Sequence, residues 1–207
     1  MTTICLAALI TGISAAQETE ATTETVATDE TESPPDTLMV VIPDEMVFAA
    51  PALVTTVGRA DGTIVHVICR RAGIDSELIE EVQREDLDGI GTLVVAMGGS
   101  TKGLGAAGVD ADTEVERGEE VLAMASVADV PILGVHVGGT PRRGELSDEF
   151  CEVVAEAADA LIVKAGGNED GFFTEIAERR DIPLIEVGTN AEAIEALADL
   201  FGVAEDQ

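Results

Sequence analysis

Five apolar runs, each followed by a glycine-rich turn and then by a segment with helical periodicity, constrain the fold of this chain most strongly. The runs are Ala52–Val57, Leu93–Met97, Ile132–Val137, Ala160–Lys164 and Pro183–Val187. None of them alternates polar and apolar residues, as a strand with one solvated face would. We therefore predict strands that are buried on both faces of a parallel sheet.

Helices are predicted between these strands, and a weaker strand is expected over Ser76–Glu81. The helical segments are approximately Thr63–Ala72, Asp112–Ala128, Glu145–Ala157, Gly171–Arg180 and Asn190–Phe201. Two of them begin with the spacing of a capping box, Thr113 with Glu116 and Thr189 with Glu192. This alternation predicts a doubly wound, three-layer α/β/α fold of the flavodoxin or Rossmann type, with five or six parallel strands and right-handed crossovers.

Two cysteines test the strand order. Cys69 lies in the first predicted helix and Cys151 in the third. A 2-1-3-4-5 strand order places these helices on opposite faces of the sheet, too far apart for a disulfide. We therefore expect two buried free thiols.

The N-terminal quarter of the sequence is predicted to direct export. Residues 1–16 resemble a signal peptide, because an apolar run too short to span a bilayer precedes a small-residue cleavage site; a buried first strand is the alternative. Residues 17–50, acidic and rich in threonine, are predicted to be a disordered linker before an α/β domain over residues 51–204. The mature protein is expected to be secreted or to lie at the cell surface, without a membrane span.

The charge balance excludes two classes of partner. The chain has 41 acidic and 11 basic residues, for a formal net charge of −30, and such a surface repels nucleic acid and anionic membrane. Only Lys102 and Lys164 are lysines. This composition favours a host that lives in high salt, where screening shortens the reach of self-repulsion. The alternative is an ordinary acidic secreted protein.

Glycine pairs follow three of the predicted strands directly. They are Gly98-Gly99, Gly138-Gly139 and Gly166-Gly167. In a parallel sheet these turns share the C-terminal edge, where open α/β folds bind ligands. Glycine allows positive φ and a close approach to backbone amides, which form concave anion sites. The alternative is that each pair only permits a tight turn.

Scarce basic residues concentrate at the same strand ends. Five of the 11 lie there: Arg59, Lys102, Arg142, Arg143 and Lys164. Arginine pairs suit capture of a carboxylate or phosphate, although Arg142 and Arg143 could instead pair with Glu145 and Asp148 at the surface. The sequence thus predicts a small anionic ligand, with no identifiable cofactor. The predicted binding residues are Gly98, Gly99, Ser100, Thr101, Lys102, Gly103, Gly138, Gly139, Arg142, Arg143, Gly166, Gly167 and Asn168.

The stretch from Gly98 to Asp112 has five glycines in 15 residues and is interpreted as a long functional loop. Its GxGxxG sequence, Gly103–Gly108, starts too far beyond the strand for a dinucleotide site. Its Ser-Thr-Lys order also differs from the phosphate loop of nucleotide hydrolases, in which lysine comes first.

Three longer motifs carry a resemblance to a known family. GGSTKGLGAAGVD, GGTPRRGELSD and GGNEDGFFTEIA resemble a family of bacterial and archaeal exported proteins that is described as a domain of unknown function. The resemblance covers about Ala52 to Phe201, and Thr101 departs from it, since serine is associated with that position. It implies an α/β domain built around these turns and implies no activity.

Residues for catalysis or metal binding are few. His136, at the end of a strand, could serve as a base for Ser100 or Thr101, although a histidine inside an apolar strand is more often structural. Acidic residues near the same edge suit helix caps better than a cation site; they are Asp61, Asp110, Asp112, Glu169 and Asp170. No Cys/His spacing suggests zinc.

Three functions therefore agree with the sequence. The first is an exported domain that binds a small anion at the glycine-rich turns. The second is a hydrolase or transferase that uses His136 with Ser100 or Thr101. The third is a cell-surface structural or assembly protein whose glycine turns serve packing alone.

Overall fold

A computed structural model describes residues 48–203, which contain one six-stranded sheet. All strand pairs are parallel and the order is β2-β1-β3-β4-β5-β6. The strands are β1 (Ala52–Val57), β2 (Ser76–Leu78), β3 (Thr92–Met97), β4 (Ile132–His136), β5 (Ala160–Lys164) and β6 (Leu184–Val187). The predicted parallel α/β fold and strand order are confirmed.

Six helices lie between or after the strands, and they form the outer layers. They are α1 (Gly62–Arg71), α2 (Thr101–Ala107), α3 (Ala111–Val127), α4 (Glu145–Ala157), α5 (Phe172–Arg180) and α6 (Asn190–Leu200). Helices α1 and α6 pack on one face of the sheet, and α3, α4 and α5 pack on the other. Short 3-10 turns occupy Arg84–Leu87, Thr140–Arg142 and Ala165–Gly167.

The apolar strands form two cores, one on each face of the sheet. Val54 and Val94 face the core beneath α1 and α6, whereas Leu53 and Val95 face the core beneath α3, α4 and α5. Strands β1, β3 and β4 are buried throughout, which explains their continuous apolar sequence.

The predicted long loop between Gly98 and Asp112 is wrong, because helix α2 occupies its centre. Ser100 Oγ caps this helix by accepting a hydrogen bond of 3.0 Å from the amide of Gly103. The helix ends at Gly108, whose φ of 72° is the left-handed conformation typical of a helix C-terminus. Leu104 is buried, so tertiary packing outweighs the low helix propensity of the glycines.

One of the two predicted capping boxes is half formed, since the Glu192 carboxylate bonds the amide before the N-cap and not that of Thr189 itself. Thr189 Oγ1 accepts from the amide of Glu192 at 3.2 Å, and the Glu192 carboxylate accepts from the amide of Gly188. The other is wrong, because Asp110 caps α3 by accepting from the amide of Thr113 at 2.9 Å. An aspartate at this position competes well with threonine as an N-cap.

Cys69 and Cys151 are free, buried and on opposite faces of the sheet, as predicted. Burial raises the pKa of Cys69 and the pKa of Cys151 to about 12 each, so the thiols are protonated and unreactive in the folded domain. No helix among residues 48–203 has the length and apolar character needed to cross a bilayer. The predicted signal peptide and residues 17–47 of the predicted linker lie outside the described residues.

Candidate functional site

Parallel register brings the glycine-rich turns to one edge of the sheet. Val57 at the end of β1 pairs with Met97 at the end of β3, and Lys164 at the end of β5 pairs with Val187. The turns after β4 and β5 also contact each other, because Thr140 Oγ1 donates a hydrogen bond of 2.6 Å to the carbonyl of Gly166. The predicted edge therefore exists, and its turns form two corners with different structures.

The first corner, which we call the β1–β3 corner, consists of Gly58–Asp61 and Gly98–Gly103, and its two turns pack closely against each other. The amide of Ser100 donates to the carbonyl of Gly58 at 2.9 Å. A Cβ atom on Gly58 would lie 2.3 Å from the carbonyl oxygen of Gly98, and one on Gly103 would lie 2.4 Å from that of Arg59. These glycines are thus required for close packing of the two turns.

Gly99 and Gly98 are buried in the same packing. The amide of Gly99 donates to Ser147 Oγ at 3.0 Å, and a Cβ at Gly99 would lie 3.0 Å from Leu146 Cγ. Gly98 has a φ of 146°. Beyond them, Thr101 and Lys102 are exposed in the first turn of α2.

A buried ion cluster of Arg59, Glu114 and Arg117 lies beneath the β1–β3 corner. The Glu114 side chain is fully buried and accepts from Arg59 Nε at 2.7 Å, Arg117 Nη2 at 2.6 Å and the amide of Gly58 at 3.1 Å. Burial raises the pKa of Glu114, but the hydrogen bonds from Arg117 and Arg59 outweigh burial and hold the pKa below its usual value. The Arg59 side chain is therefore held in the interior by its ion pair with Glu114.

The second corner, which we call the β4–β5 corner, consists of Val137–Arg143 and Ala165–Asn168, and part of its backbone is unpaired. Among the described residues, the amides of Gly138, Gly139 and Gly166 have no hydrogen-bond acceptor. Gly139 has φ 62° and ψ −158°, a conformation largely limited to glycine. A Cβ atom on Gly139 would lie 3.5 Å from Lys164 Cδ, so the half-buried side chain of Lys164 lies against this turn.

Arg142 of the β4–β5 corner meets Asp61 of the β1–β3 corner where the two corners adjoin. Arg142 Nε lies 3.4 Å from Asp61 Oδ2, and the exposed fractions of the two side chains are 39% and 8%. The Arg142 stem occupies the space where Gly138 would carry a side chain. Since Arg142 is the more exposed partner, its guanidinium group can also reach a ligand at the rim.

Arg143, in contrast, is held by the protein. It pairs with Asp148 at 2.6 Å and with Asp170 at 3.0 Å, and its guanidinium carbon lies 4.5 Å from the centre of the Phe172 ring. It also donates to the carbonyl of Gly167. The predicted alternative of pairing with Asp148 therefore holds for Arg143, which joins the β4–β5 corner to α4 and α5.

Asn168 and Gly167 also have structural contacts. Asn168 Oδ1 accepts from the amide of Phe173 at 2.8 Å, and its Nδ2 donates to Glu186 at 2.6 Å and to Thr174 at 2.8 Å. These bonds cap the start of α5 and use the whole amide group. A Cβ on Gly167 would lie 2.7 Å from the His136 ring, so this glycine leaves room for the histidine.

His136 is fully buried beneath the second corner. Its Nδ1 lies 3.1 Å from the carbonyl of Met97 and its Nε2 lies 3.4 Å from that of Gly139. Burial lowers its pKa, and the hydrogen bonds to these carbonyls oppose the shift only in part. Within residues 48–203, no hydrogen bond joins His136 to Ser100 or Thr101, and Ser100 Oγ already caps α2.

Two other features of the described residues do not add to the site. They contain no group of three metal-ligating side chains close enough to hold a metal ion, and Asp110 and Asp170 instead accept from backbone amides. A groove of about 610 Å³ lies between α3 and α4, near the start of β4 and away from the carboxyl ends of the strands. Four glutamates line it, Glu119, Glu149, Glu152 and Glu156, so its charge disfavours an anion.

Comparison with known families gives a match over almost the whole described region. The profile of the family described as "Domain of unknown function (DUF6305)" matches residues 49–201. The chain belongs to the DUF6305 family. The match includes both corners, and it confirms the resemblance drawn from the glycine-rich motifs to a domain of unknown function.

Other comparisons place this DUF6305 domain far from characterised proteins. No curated protein matches it. A Schiff base-forming fructose-1,6-bisphosphate aldolase aligns at 13% identity and a TM-score of 0.34, over 72% of this chain and 80% of that one. The SGNH-hydrolase family esterase AlinE4 aligns at 14% identity and a TM-score of 0.28, over 75% and 82%. Similarity this low supports no conclusion about function.

Sequence reasoning brought the glycine-rich turns to one edge of the sheet, but it missed Glu114 and interpreted Asp61 as a helix cap, whereas the Asp61 side chain makes no cap hydrogen bond. Glu114 and Asp61 are the two buried carboxylates that engage Arg59 and Arg142. Glu114 resembles any acidic residue in the first turn of a helix. The positive φ of Asp61, 58°, is a backbone property that the sequence does not display.

Proposed function

We propose that this protein is an exported domain that binds a small anion at the β4–β5 corner. The proposal depends on one observation: the unpaired amides of Gly138, Gly139 and Gly166 lie beside Lys164 and Arg142. Consecutive amides around a residue of positive φ form a concave site for an anion, and arginine supplies a planar set of donors for a carboxylate or phosphate.

The acidity of the whole chain makes the binding of an anion depend on ionic strength. A net charge of −30 repels an approaching anion at low ionic strength. At 1 M salt the Debye length falls to about 3 Å, so only contacts inside the site act on the ligand. We therefore propose a salt-adapted host and expect anion affinity to depend on the site more than on long-range charge.

The geometry gives less support to a hydrolase. Both ring nitrogens of His136 face backbone carbonyls, whereas a general base must present a free acceptor nitrogen to the nucleophile's hydroxyl group. Ser100 Oγ is also engaged as a helix cap. The anion-binding function needs neither side chain to move.

Thermal unfolding with phosphate, sulfate and acetate tests the proposal, with sodium chloride holding the ionic strength at 1 M. A bound anion at 100 times its dissociation constant raises the free energy of unfolding by about 2.7 kcal/mol. Because excluded salts such as sulfate stabilise proteins without a site, the result is the difference between wild type and Lys164→Ala.

Lys102→Ala is the matched control, since it removes the other lysine from the exposed start of α2. We expect Lys102→Ala to keep the anion-dependent stabilisation and Lys164→Ala to lose most of it. Equal stabilisation of wild type and both variants by every anion contradicts the proposed site.

A further inference from the structure

Asp61 is a buried carboxylate with an unused acceptor. It follows β1 with a φ of 58°, and its side chain is 8% exposed. Its Oδ2 atom is inaccessible to solvent and accepts no hydrogen bond from the described part of the chain. Leaving a buried acceptor without a donor costs free energy. We therefore expect a ligand to donate a hydrogen bond to Asp61 Oδ2.

Arg142 lies near this atom without hydrogen bonding to it. Its Nε is 3.4 Å from Asp61 Oδ2, and its side chain is 39% exposed. A Cβ atom on Gly138 would lie 2.8 Å from the same oxygen. The unused acceptor is thus next to the turn with the unpaired amides, within the span of one small molecule.

Charge balance restricts which anion can use Arg142. In the free protein, Arg142 and Asp61 compensate each other's charge. A simple anion that draws the guanidinium group outward leaves the Asp61 carboxylate buried and uncompensated, which is strongly unfavourable. An anion that also carries a positive donor replaces the arginine at Asp61 and removes that penalty.

We infer that the ligand of the β4–β5 corner is zwitterionic, an α-amino acid or a molecule that ends in one. Its carboxylate binds Arg142 and the glycine amides, and its ammonium group donates to Asp61 Oδ2. A hydroxyl group in place of the ammonium group supplies the hydrogen bond without the charge and gives weaker binding. This inference rests on the proposed anion site and names the class of ligand for it.

Three ligands that share one carbon skeleton test the inference. Alanine, lactate and propionate carry an ammonium, a hydroxyl and a hydrogen at C2, and calorimetry at constant ionic strength compares their dissociation constants. We expect alanine to bind at least ten times more tightly than propionate, with lactate between them. N-acetylalanine keeps the carboxylate but lacks the ammonium group, and we expect it to bind no better than propionate.

The variant Asp61→Asn keeps the size of the side chain, and asparagine tolerates a positive φ. In this variant the affinity ratio of alanine to propionate should fall close to one. An unchanged ratio overturns the inference, because Asp61 Oδ2 then has another partner such as an internal water. If the Asp61→Asn variant does not fold, the dissociation constants of the four ligands for the wild type still test the inference.

The outcomes for the inference and for the proposed function are separate. Propionate or phosphate binding as tightly as alanine overturns the zwitterionic ligand and leaves the anion site intact. Failure of phosphate, sulfate, acetate and alanine to bind overturns both.

Discussion

The β1–β3 corner and the β4–β5 corner have similar glycine-rich sequences, but their glycine amides have opposite hydrogen-bond environments. At the first, Gly58 donates to Glu114 and accepts from Ser100. At the second, Gly138 and Gly139 have no acceptor among the described residues. The comparison shows that similar glycine pairs after parallel strands differ in whether their amides are paired within the protein. Under the proposed function, the unpaired amides indicate the binding corner.

The arginines of the two corners differ in the same way. Arg59 is 6% exposed and is fixed by fully buried Glu114, whereas Arg142 is 39% exposed and lies at 3.4 Å from Asp61. An arginine with a strong buried partner stabilises the fold. An arginine at the rim, such as Arg142, can exchange its partner for a ligand that also supplies a donor to Asp61.

Replacing Glu114 by glutamine should have the largest effect on stability. The substitution leaves Arg59 and Arg117 without their shared buried carboxylate, and losing one partner of a buried ion pair costs about 3–5 kcal/mol. Urea denaturation measures the free energy of unfolding, and Glu116→Gln, at an exposed position of α3, is the control. A loss below about 1 kcal/mol, the size of a surface ion pair, contradicts the assigned role of the buried ion cluster.

Glycine-to-alanine substitutions, each of which adds one methyl group, should have the next largest effect on the free energy of unfolding. The size of that effect should differ between the two corners. Gly103→Ala places a Cβ 2.4 Å from a backbone oxygen at the first corner, and such overpacking costs about 1–3 kcal/mol. Gly166→Ala places a Cβ 3.2 Å from the Thr140 hydroxyl and 3.8 Å from the Thr140 amide nitrogen, and should cost less. Gly105 lies in the same helix as Gly103, and a Cβ atom on it would have no neighbouring atom within 4 Å. Gly105→Ala should therefore stabilise the domain by about 0.5–1 kcal/mol through helix propensity. Equal losses for Gly103→Ala and Gly166→Ala in urea denaturation contradict the difference in packing.

A change in pH should affect the free energy of unfolding less than these substitutions do. The folded pKa of Glu114 lies below its usual value because the hydrogen bonds from Arg117 and Arg59 outweigh burial. Its contribution to stability is therefore complete above the unfolded pKa of about 4.3 and is lost as the pH falls toward the folded pKa. The difference in unfolding free energy between wild type and Glu114→Gln should shrink between pH 5 and the acid limit of folding. A difference that grows on acidification contradicts this sign.

Much of the fold could be predicted because it follows from local sequence patterns. The apolar runs gave the bounds of β1 and β5 residue for residue, and periodicity gave those of α4. Helix α2 was missed because its glycines indicate a loop, and only burial of Leu104 in the assembled fold reverses that tendency.

The candidate site could be predicted only as an edge of the sheet. Basic residues after the strands indicated where an anion could bind. The pairing of Arg143 with Asp148 was an alternative offered by their short spacing. The pairing of Arg143 with Asp170, and that of Arg59 with Glu114, depends on contacts between distant segments. Sequence spacing does not report which amides those contacts leave unpaired.

A titration with phosphate, followed by amide nitrogen and proton chemical shifts at 1 M ionic strength, tests the central claim most directly. We predict saturable shifts for the amides of Gly138, Gly139 and Gly166, with little change at Gly58 and Ser100. Saturable shifts confined to Gly58 and Ser100, or no saturable shift at either corner with phosphate or with alanine, would contradict it.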